Sequence, residues 1–311
     1  VRIAREVLAE NGLDANLVTL MATDNRADTT ALAKHPAVRS IDFTGGNAFG
    51  GWLIDNCRQA QVYAELAGVN NIVIDGTDNY KGMLRNLAFT LSLYSGQMCT
   101  TTQAIFVPAA GIDTPDGKVP FDQVAADLAA ATEKFLADPA VATAVLGAIQ
   151  SDDTLARIAS ASQWGEVVLA SQKIEHPDFP KAEVRTPVLL KCDAANEAAW
   201  MEERFGPIAF VVKVADTAAG IALSERVVNT HGALTVGLYT TQQSVIEAMT
   251  AATWRSKVAL SINLTGGVFV NQSAAYSDYH GTGGNPAANA SYADAAFVAN
   301  RFRVVQRRYH V

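Results

Sequence analysis

Short apolar runs alternating with helix-length amphipathic segments constrain this chain more than any other feature. Ile3, Val7 and Leu8 recur at helical spacing, and Asn11-Gly12 closes that helix. Leu17–Leu20 reads as a buried strand, Thr29–Lys34 as a short helix ended by His35-Pro36, and Val38–Phe43 as a second strand. Thr44–Asn47 is a turn that opens a helix with Phe49, Leu53 and Cys57 on one face. Val62–Leu66 is a strand interrupted by one acid, Glu65. Alternation of this kind builds a parallel, doubly wound α/β sheet.

The pattern continues. Strands are predicted at Asn71–Ile74, Ile105–Pro108, Val167–Leu169, Val188–Leu190, Phe210–Val214, Val236–Tyr239 and Val268–Asn271. Helices are predicted at Met83–Ser92, Phe121–Ala137, Ser151–Ala161 and Gln243–Ala252, with a surface turn at Asp113–Gly117. Tyr276–Tyr292 reads as a polar loop, and Phe302–Arg307 alternates with period two, as a half-exposed strand does. A chain of 311 residues is long enough to bury two sizeable cores.

Charge and cysteine usage narrow the function classes. A net charge of −7 argues against a phosphate backbone or an anionic membrane as partner. The one basic cluster, Arg301, Arg303, Arg307 and Arg308, alternates with apolar residues and reads as a strand with a charged face, with nucleic-acid contact the lesser alternative. No run of eighteen apolar residues is present, and the first residues read as an amphipathic helix, not a signal peptide. Three widely spaced cysteines fit a reducing cytoplasm better than a disulfide framework. The five histidines lack zinc-ligand spacing, so no metal is expected.

Four runs carry chemistry. Cys99 follows Gly96-Gln97-Met98 and precedes a threonine run, on a connection between a helix and a strand. Small neighbours leave a thiol there approachable, and a thiolate is an effective nucleophile. A lone cysteine is equally a small core residue. Glu65 breaks an apolar strand. A buried carboxylate has a raised pKa and suits a general base, whereas one on the polar face is only solvated. In Glu202-Glu203-Arg204-Phe205-Gly206-Pro207, a carboxylate is able to accept hydrogen bonds from both hydroxyls of a ribose; a solvated acidic helix end reads the same way. Phe43-Thr44-Gly45-Gly46 offers backbone amides at a helix start, where phosphates bind, although no GxGxxG is present.

Taken in order, these runs resemble the aldehyde dehydrogenase superfamily. Phe43-Thr44-Gly45-Gly46 resembles its Phe-Thr-Gly-Ser turn at the cofactor pyrophosphate. Glu65-Leu66-Ala67-Gly68 resembles its Glu-Leu-Gly-Gly, and Gly96-Gln97-Met98-Cys99 its Gly-Gln-x-Cys. Glu202–Pro207 resembles its Glu-Glu-x-Phe-Gly-Pro, and Val268–Asn271 resembles the strand leading to the substrate pocket. Within the superfamily, Glu65–Asn70 and Ser95–Thr102 are most similar to the branch acting in phenylacetic acid degradation. Gly46 departs from the family pattern by lacking a hydroxyl, and Ala67 replaces a glycine.

The resemblance implies the following. The fold is aldehyde dehydrogenase-like α/β, with residues 1–67 the C-terminal half of a Rossmann-type dinucleotide domain. Residues 68–297 form a parallel-sheet catalytic domain, and residues 298–311 an oligomerisation strand. Cys99 is the nucleophile and Glu65 the general base, both lining one cleft. Thr44, Gly45, Gly46, Leu66, Glu203 and Phe205 contact NAD or NADP. The substrate is a small aldehyde, and the protein is a cytoplasmic dimer or tetramer. The family's N-terminal part, with an asparagine that helps hold the oxyanion, lies outside this sequence. The chain is therefore expected to be a C-terminal portion of the enzyme, inactive alone. A non-catalytic scaffold and a thiol acyltransferase with a CoA acceptor are the competing classes.

Overall fold

The computed structural model describes residues 1–66, 68–269 and 281–289. Two compact units are present, Val1–Asp42 with Gly51–Val62, and Phe43–Gly50 with Tyr63 onward. In chain order the first elements are α1 (Arg2–Glu10), α2 (Arg26–Ala33), β1 (Ser40–Gly45), α3 (Asn47–Asn56), β2 (Gln61–Leu66), β3 (Asn71–Ile74) and α4 (Tyr80–Ser92). Next come β4 (Ala104–Pro108), β5 (Ile112–Thr114), β6 (Gly117–Val119), α5 (Phe121–Leu136), α6 (Pro139–Val145) and α7 (Asp152–Ala159). The rest are β7 (Glu166–Leu169), β8 (Lys173–Ile174), β9 (Val184–Arg185), β10 (Val188–Asp193), α8 (Glu197–Trp200), β11 (Ile208–Val214), α9 (Thr217–His231), β12 (Thr235–Tyr239), α10 (Gln243–Ser256) and β13 (Ala259–Ile262).

In the first unit, Asn25 caps α2 by accepting a bond from the Ala27 N–H at 2.9 Å. Leu17–Leu20 is not the buried strand its composition suggests. Ala15–Leu17 is a 3₁₀ turn, and Leu17 and Leu20 are 68% and 72% exposed. Among the described residues no strand pairs with this run, and an apolar run without a ladder partner has no reason to extend as a strand.

The second unit is built on a seven-stranded sheet in the order β13-β12-β3-β4-β11-β10-β7. Six strands run parallel, and β7 joins the edge antiparallel to β10. Strands β3, β4 and β12 are buried along their whole length, as expected of a sheet covered on both faces. On one face Val73, Phe106, Val212 and Val236 pack with Val227 and Val228 of α9 and Met249 of α10. On the other, Ile72, Ile74, Ile105 and Val211 pack with α4 and α5. Successive residues serve opposite faces, which is why these strands read as unbroken apolar runs.

Register sets up the functional region. Asn71, Ala104, Phe210 and Val236 lie level across β3, β4, β11 and β12. The segments leading into these strands, 68–70, 97–103, 203–207 and 232–234, therefore gather along one edge of the sheet, at the strands' amino ends. Glycines let them approach. A Cβ on Gly232, at φ +81°, would overlap the backbone nitrogen of Ala287, and one on Gly68 would fall 2.9 Å from Gly232 O. Gly232→Ala is expected to destabilise the protein by about 3 kcal/mol or more, combining a left-handed backbone with a backbone clash. Urea denaturation checks this; a loss below 1 kcal/mol would mean that the close approach is easily relaxed.

Candidate active site

The run from α4 to β4 turns sharply. Tyr94, Ser95 and Gly96 all have positive φ, at 52°, 52° and 64°. Two consecutive non-glycine residues in this region are costly and need local support. The buried Ser95 hydroxyl supplies it, lying 2.9 Å from Gly147 O and 2.7 Å from Arg185 O. Gln97 adds a bond to Ala148 O at 2.9 Å and accepts one from Gln150 N–H. Gly96 is fixed by contact: a Cβ there would enter the backbone of Gly206 and Pro207.

Cys99 follows in a turn, half-buried, its side chain packed against Leu234, Ala287 and Ala288. Its carbonyl accepts a bond from Asn70 Nδ2 at 2.7 Å, and the same amide reaches Thr101 O at 3.1 Å. Asn70 Oδ1 accepts the Leu234 and Thr235 N–H groups at 2.9 and 3.0 Å. One buried amide thus ties the thiol's loop to the start of β12. Sequence reasoning passed over Asn70, because nothing local distinguishes it from its neighbour Asn71.

Glu65 sits half-buried on β2 and bridges antiparallel to Ala288. The adjoining bonds run from Leu66 N–H to Ala287 O and from Asn289 N–H to Ala64 O. The thiol-bearing turn and the carboxylate-bearing strand therefore meet on one short segment, Ala287–Ala288. Leu66 lies beside Gly50, where a Cβ would overlap its Cδ2. That contact holds the first turn of α3 against the end of β2.

The predicted turn is shorter than its composition suggests: Thr44 and Gly45 end β1 and Asn47 opens α3, so Gly46 alone links them; Thr44 and Gly46 are exposed and Gly45 half-buried. A Cβ on Gly46 would meet nothing within 4 Å, whereas one on Gly45 would press on the Phe43 ring at 2.7 Å. The link at Gly46 is open on one side, as backbone amides that receive a phosphate must be.

Glu203 and Phe205 line a narrow crevice with Gly68, Met98, Thr101 and Thr102. Burial pushes the Glu203 carboxyl up to about 7, against the Gly68 N–H and the Arg157 charge, which lower it. Arg157 also donates to Phe205 O at 3.0 Å. The Thr101 and Thr102 hydroxyls are buried with no hydrogen-bond partner among the described residues. A partly desolvated carboxylate beside orphaned hydroxyls is a place suited to a hydroxylated ligand. In the folded protein Glu203 holds its proton above the ordinary 4.5. Its contribution to stability is therefore full below about 4.5 and lost as pH rises towards 7. Glu203→Gln should flatten that part of the stability–pH curve, as read by urea midpoints; an unchanged curve would place the carboxylate in water.

Of the pocket-strand prediction only part is described. Val268 and Phe269 form no strand and Val268 is 52% exposed, while 270 and 271 fall outside the described residues, as does Phe302–Arg307. Val268 O instead accepts a bond from Asn86 Nδ2 on α4.

A mostly parallel α/β sheet thus carries a cysteine turn and a Glu-x-Phe-Gly-Pro turn at the amino ends of its strands, with the Glu65 strand of a separate two-stranded sheet leading into it. The aldehyde dehydrogenase family model matches residues 2–291, and the chain belongs to that family. It is similar to the crystal structure of an NAD-dependent aldehyde dehydrogenase from Burkholderia multivorans, 54% identical with a TM-score of 0.94. That match covers 100% of this chain and 56% of the other. Among curated proteins it resembles 5-carboxymethyl-2-hydroxymuconate semialdehyde dehydrogenase of Escherichia coli, 24% identical over 71% of this chain and 47% of the relative. Vanillin dehydrogenase of Pseudomonas fluorescens is 26% identical over 68% of this chain and 43% of the relative. The chain thus spans about half the length of the curated relatives it matches.

Proposed function

We propose that the full-length protein oxidises an aldehyde to a carboxylic acid with NAD or NADP, through a thioester on Cys99. The observation supporting this most directly is the meeting of the Cys99 turn and the Glu65 strand on Ala287–Ala288, with Glu203 tied to Gly68 three residues beyond Glu65. A scaffold has no need of a thiol, a carboxylate and a ribose-type clamp in one place.

The residues divide the work as follows. The Cys99 thiolate attacks the aldehyde carbon and forms a C–S bond, while the carbonyl oxygen becomes an oxyanion. The Cys99 backbone N–H is the donor this chain offers it; one such donor contributes roughly 3–4 kcal/mol. A bound nicotinamide supplies the hydride acceptor. Glu65 takes a proton from water, the water oxygen attacks the thioester carbon, the C–S bond breaks, and the acid leaves with the thiolate restored. Thr44, Gly45 and Gly46 would hold the cofactor pyrophosphate, Leu66 would lie along it, and Glu203 with Phe205 would hold the nicotinamide end. The open link at Gly46 and the orphaned threonine hydroxyls suit that group.

Finer readings go with this one. Residues 1–67 complete a dinucleotide domain, residues 68–297 carry the chemistry, and residues 298–311 serve assembly into a cytoplasmic dimer or tetramer. Glu65–Asn70 and Ser95–Thr102 resemble the phenylacetic acid degradation protein PaaN, which favours an aromatic-derived or CoA-linked aldehyde. The 54% identical neighbour is NAD-dependent, which favours NAD over NADP. The test is absorbance of reduced cofactor with the full-length protein and a panel of aliphatic and aromatic aldehydes. Reduction that needs both aldehyde and cofactor is expected. Acyl transfer to CoA without cofactor, or no reduction with any aldehyde, would overturn the reading.

A further inference from the structure

Gln103, four residues past Cys99, takes part in none of the steps above. It sits immediately before β4, and its backbone is fixed on both sides. Its N–H donates to Asn70 O at 2.9 Å, and its carbonyl accepts from the Phe210 N–H at 2.7 Å. The side chain is buried, 5% exposed, and aimed at the turn carrying Glu203. Gln103 Nε2 donates to Trp200 O at 2.9 Å and to Glu202 O at 2.7 Å, while Oε1 accepts the Arg204 N–H. Bonds to the residues before and after Glu203 bracket it.

The chemistry of the site admits few substitutes. Two carbonyls and one N–H face a single buried position, and only an amide presents two donors and an acceptor together. A carboxylate there would set its oxygens against two carbonyls. An apolar side chain would strand three backbone groups, each costly when buried without a partner. Arg204 closes the rest of the loop by itself, donating to Ala198 O at 2.7 Å and stacking 4.6 Å from the Trp164 ring. The direction of the Glu203 carboxylate therefore depends on Gln103 more than the existence of the loop does.

We infer that Gln103 is a positioning residue: its amide sets the Glu203 carboxylate in the geometry that grips a dinucleotide's ribose. The inference rests on the reading of Glu203 as a cofactor ligand. It is tested in the full-length protein by NAD affinity from intrinsic fluorescence, alongside the rate at which iodoacetamide alkylates Cys99. Gln103→Glu and Gln103→Met should each raise the Kd for NAD by about tenfold or more, with the alkylation rate within about twofold of the parent. Combining Gln103→Met with Glu203→Gln should add little to the effect of Glu203→Gln alone, since both remove the same grip. Equal NAD affinity in parent and variants, or additive losses in the double variant, would overturn the inference while leaving the dehydrogenase reading intact. Variants that fail to fold would assign Gln103 to structure alone and also overturn it. A parent protein that binds no NAD would overturn both readings together.

Discussion

Cys99→Ser in the full-length protein is expected to lower kcat by roughly 10⁴-fold or more, the order of loss seen when a covalent nucleophile is removed. The argument is chemical. A serine hydroxyl keeps its proton near neutral pH, so far less of it is present as the anion that attacks the carbonyl. The side chains are nearly the same size, so packing against Leu234, Ala287 and Ala288 is kept and the fold should be unaffected. Steady-state rates of cofactor reduction, with thermal melting as the control for folding, check this. A loss under about tenfold would remove Cys99 from the chemistry.

Glu65→Gln should behave differently. The amide cannot accept the water's proton, yet it leaves attack by the thiol and hydride loss untouched. A burst of reduced cofactor close to one equivalent per site should appear, followed by turnover slowed about 10²–10⁴-fold, the range of a positioned general base. Rapid mixing reads both phases, and mass spectrometry of the stalled protein should find an acyl group on Cys99. A variant with no burst would place Glu65 in the first half of the reaction; normal turnover would remove it as the base.

Much of the scaffold was legible because periodicity and burial agreed. The unbroken run Asn71–Ile74 is a strand with the predicted bounds, since alternate residues feed two cores. Val62–Leu66, with its one acid, is a strand within a residue of the prediction. Helix α9 escaped notice because its buried stripe includes Gly220 and Ser224 among Ile221, Val227 and Val228, which blurs the apolar period. The short α6 is rich in alanine and valine and opens on Pro139, with no apolar period to mark it, so it went unassigned. Strand β13 is half-buried throughout and lies on the sheet's edge, where patterning is weakest.

Site residues divide along the same line. Cys99, Glu65, Glu203 and Phe205 stood out because their side-chain chemistry was unusual for their surroundings. Asn70 and Gln103 did not, because their partners are backbone groups far along the chain, such as Cys99 and Leu234 for Asn70 and Arg204 for Gln103. A buried amide announces itself only when the groups it serves are brought to it.

The two rims of the sheet have become specialised. At the carboxyl ends of the strands, Asp75 is satisfied by Thr217 and Thr240, each 2.6 Å away, and by Gln242 at 3.1 Å, and the β5–β6 hairpin closes nearby. All of that polarity is spent inside the protein. Sheets of this topology usually receive small molecules at that far rim; here the Asp75 carboxylate is taken up by the protein's own threonines and glutamine, and a label or linker grafted onto the hairpin would stand at the opposite ends of the strands from Cys99.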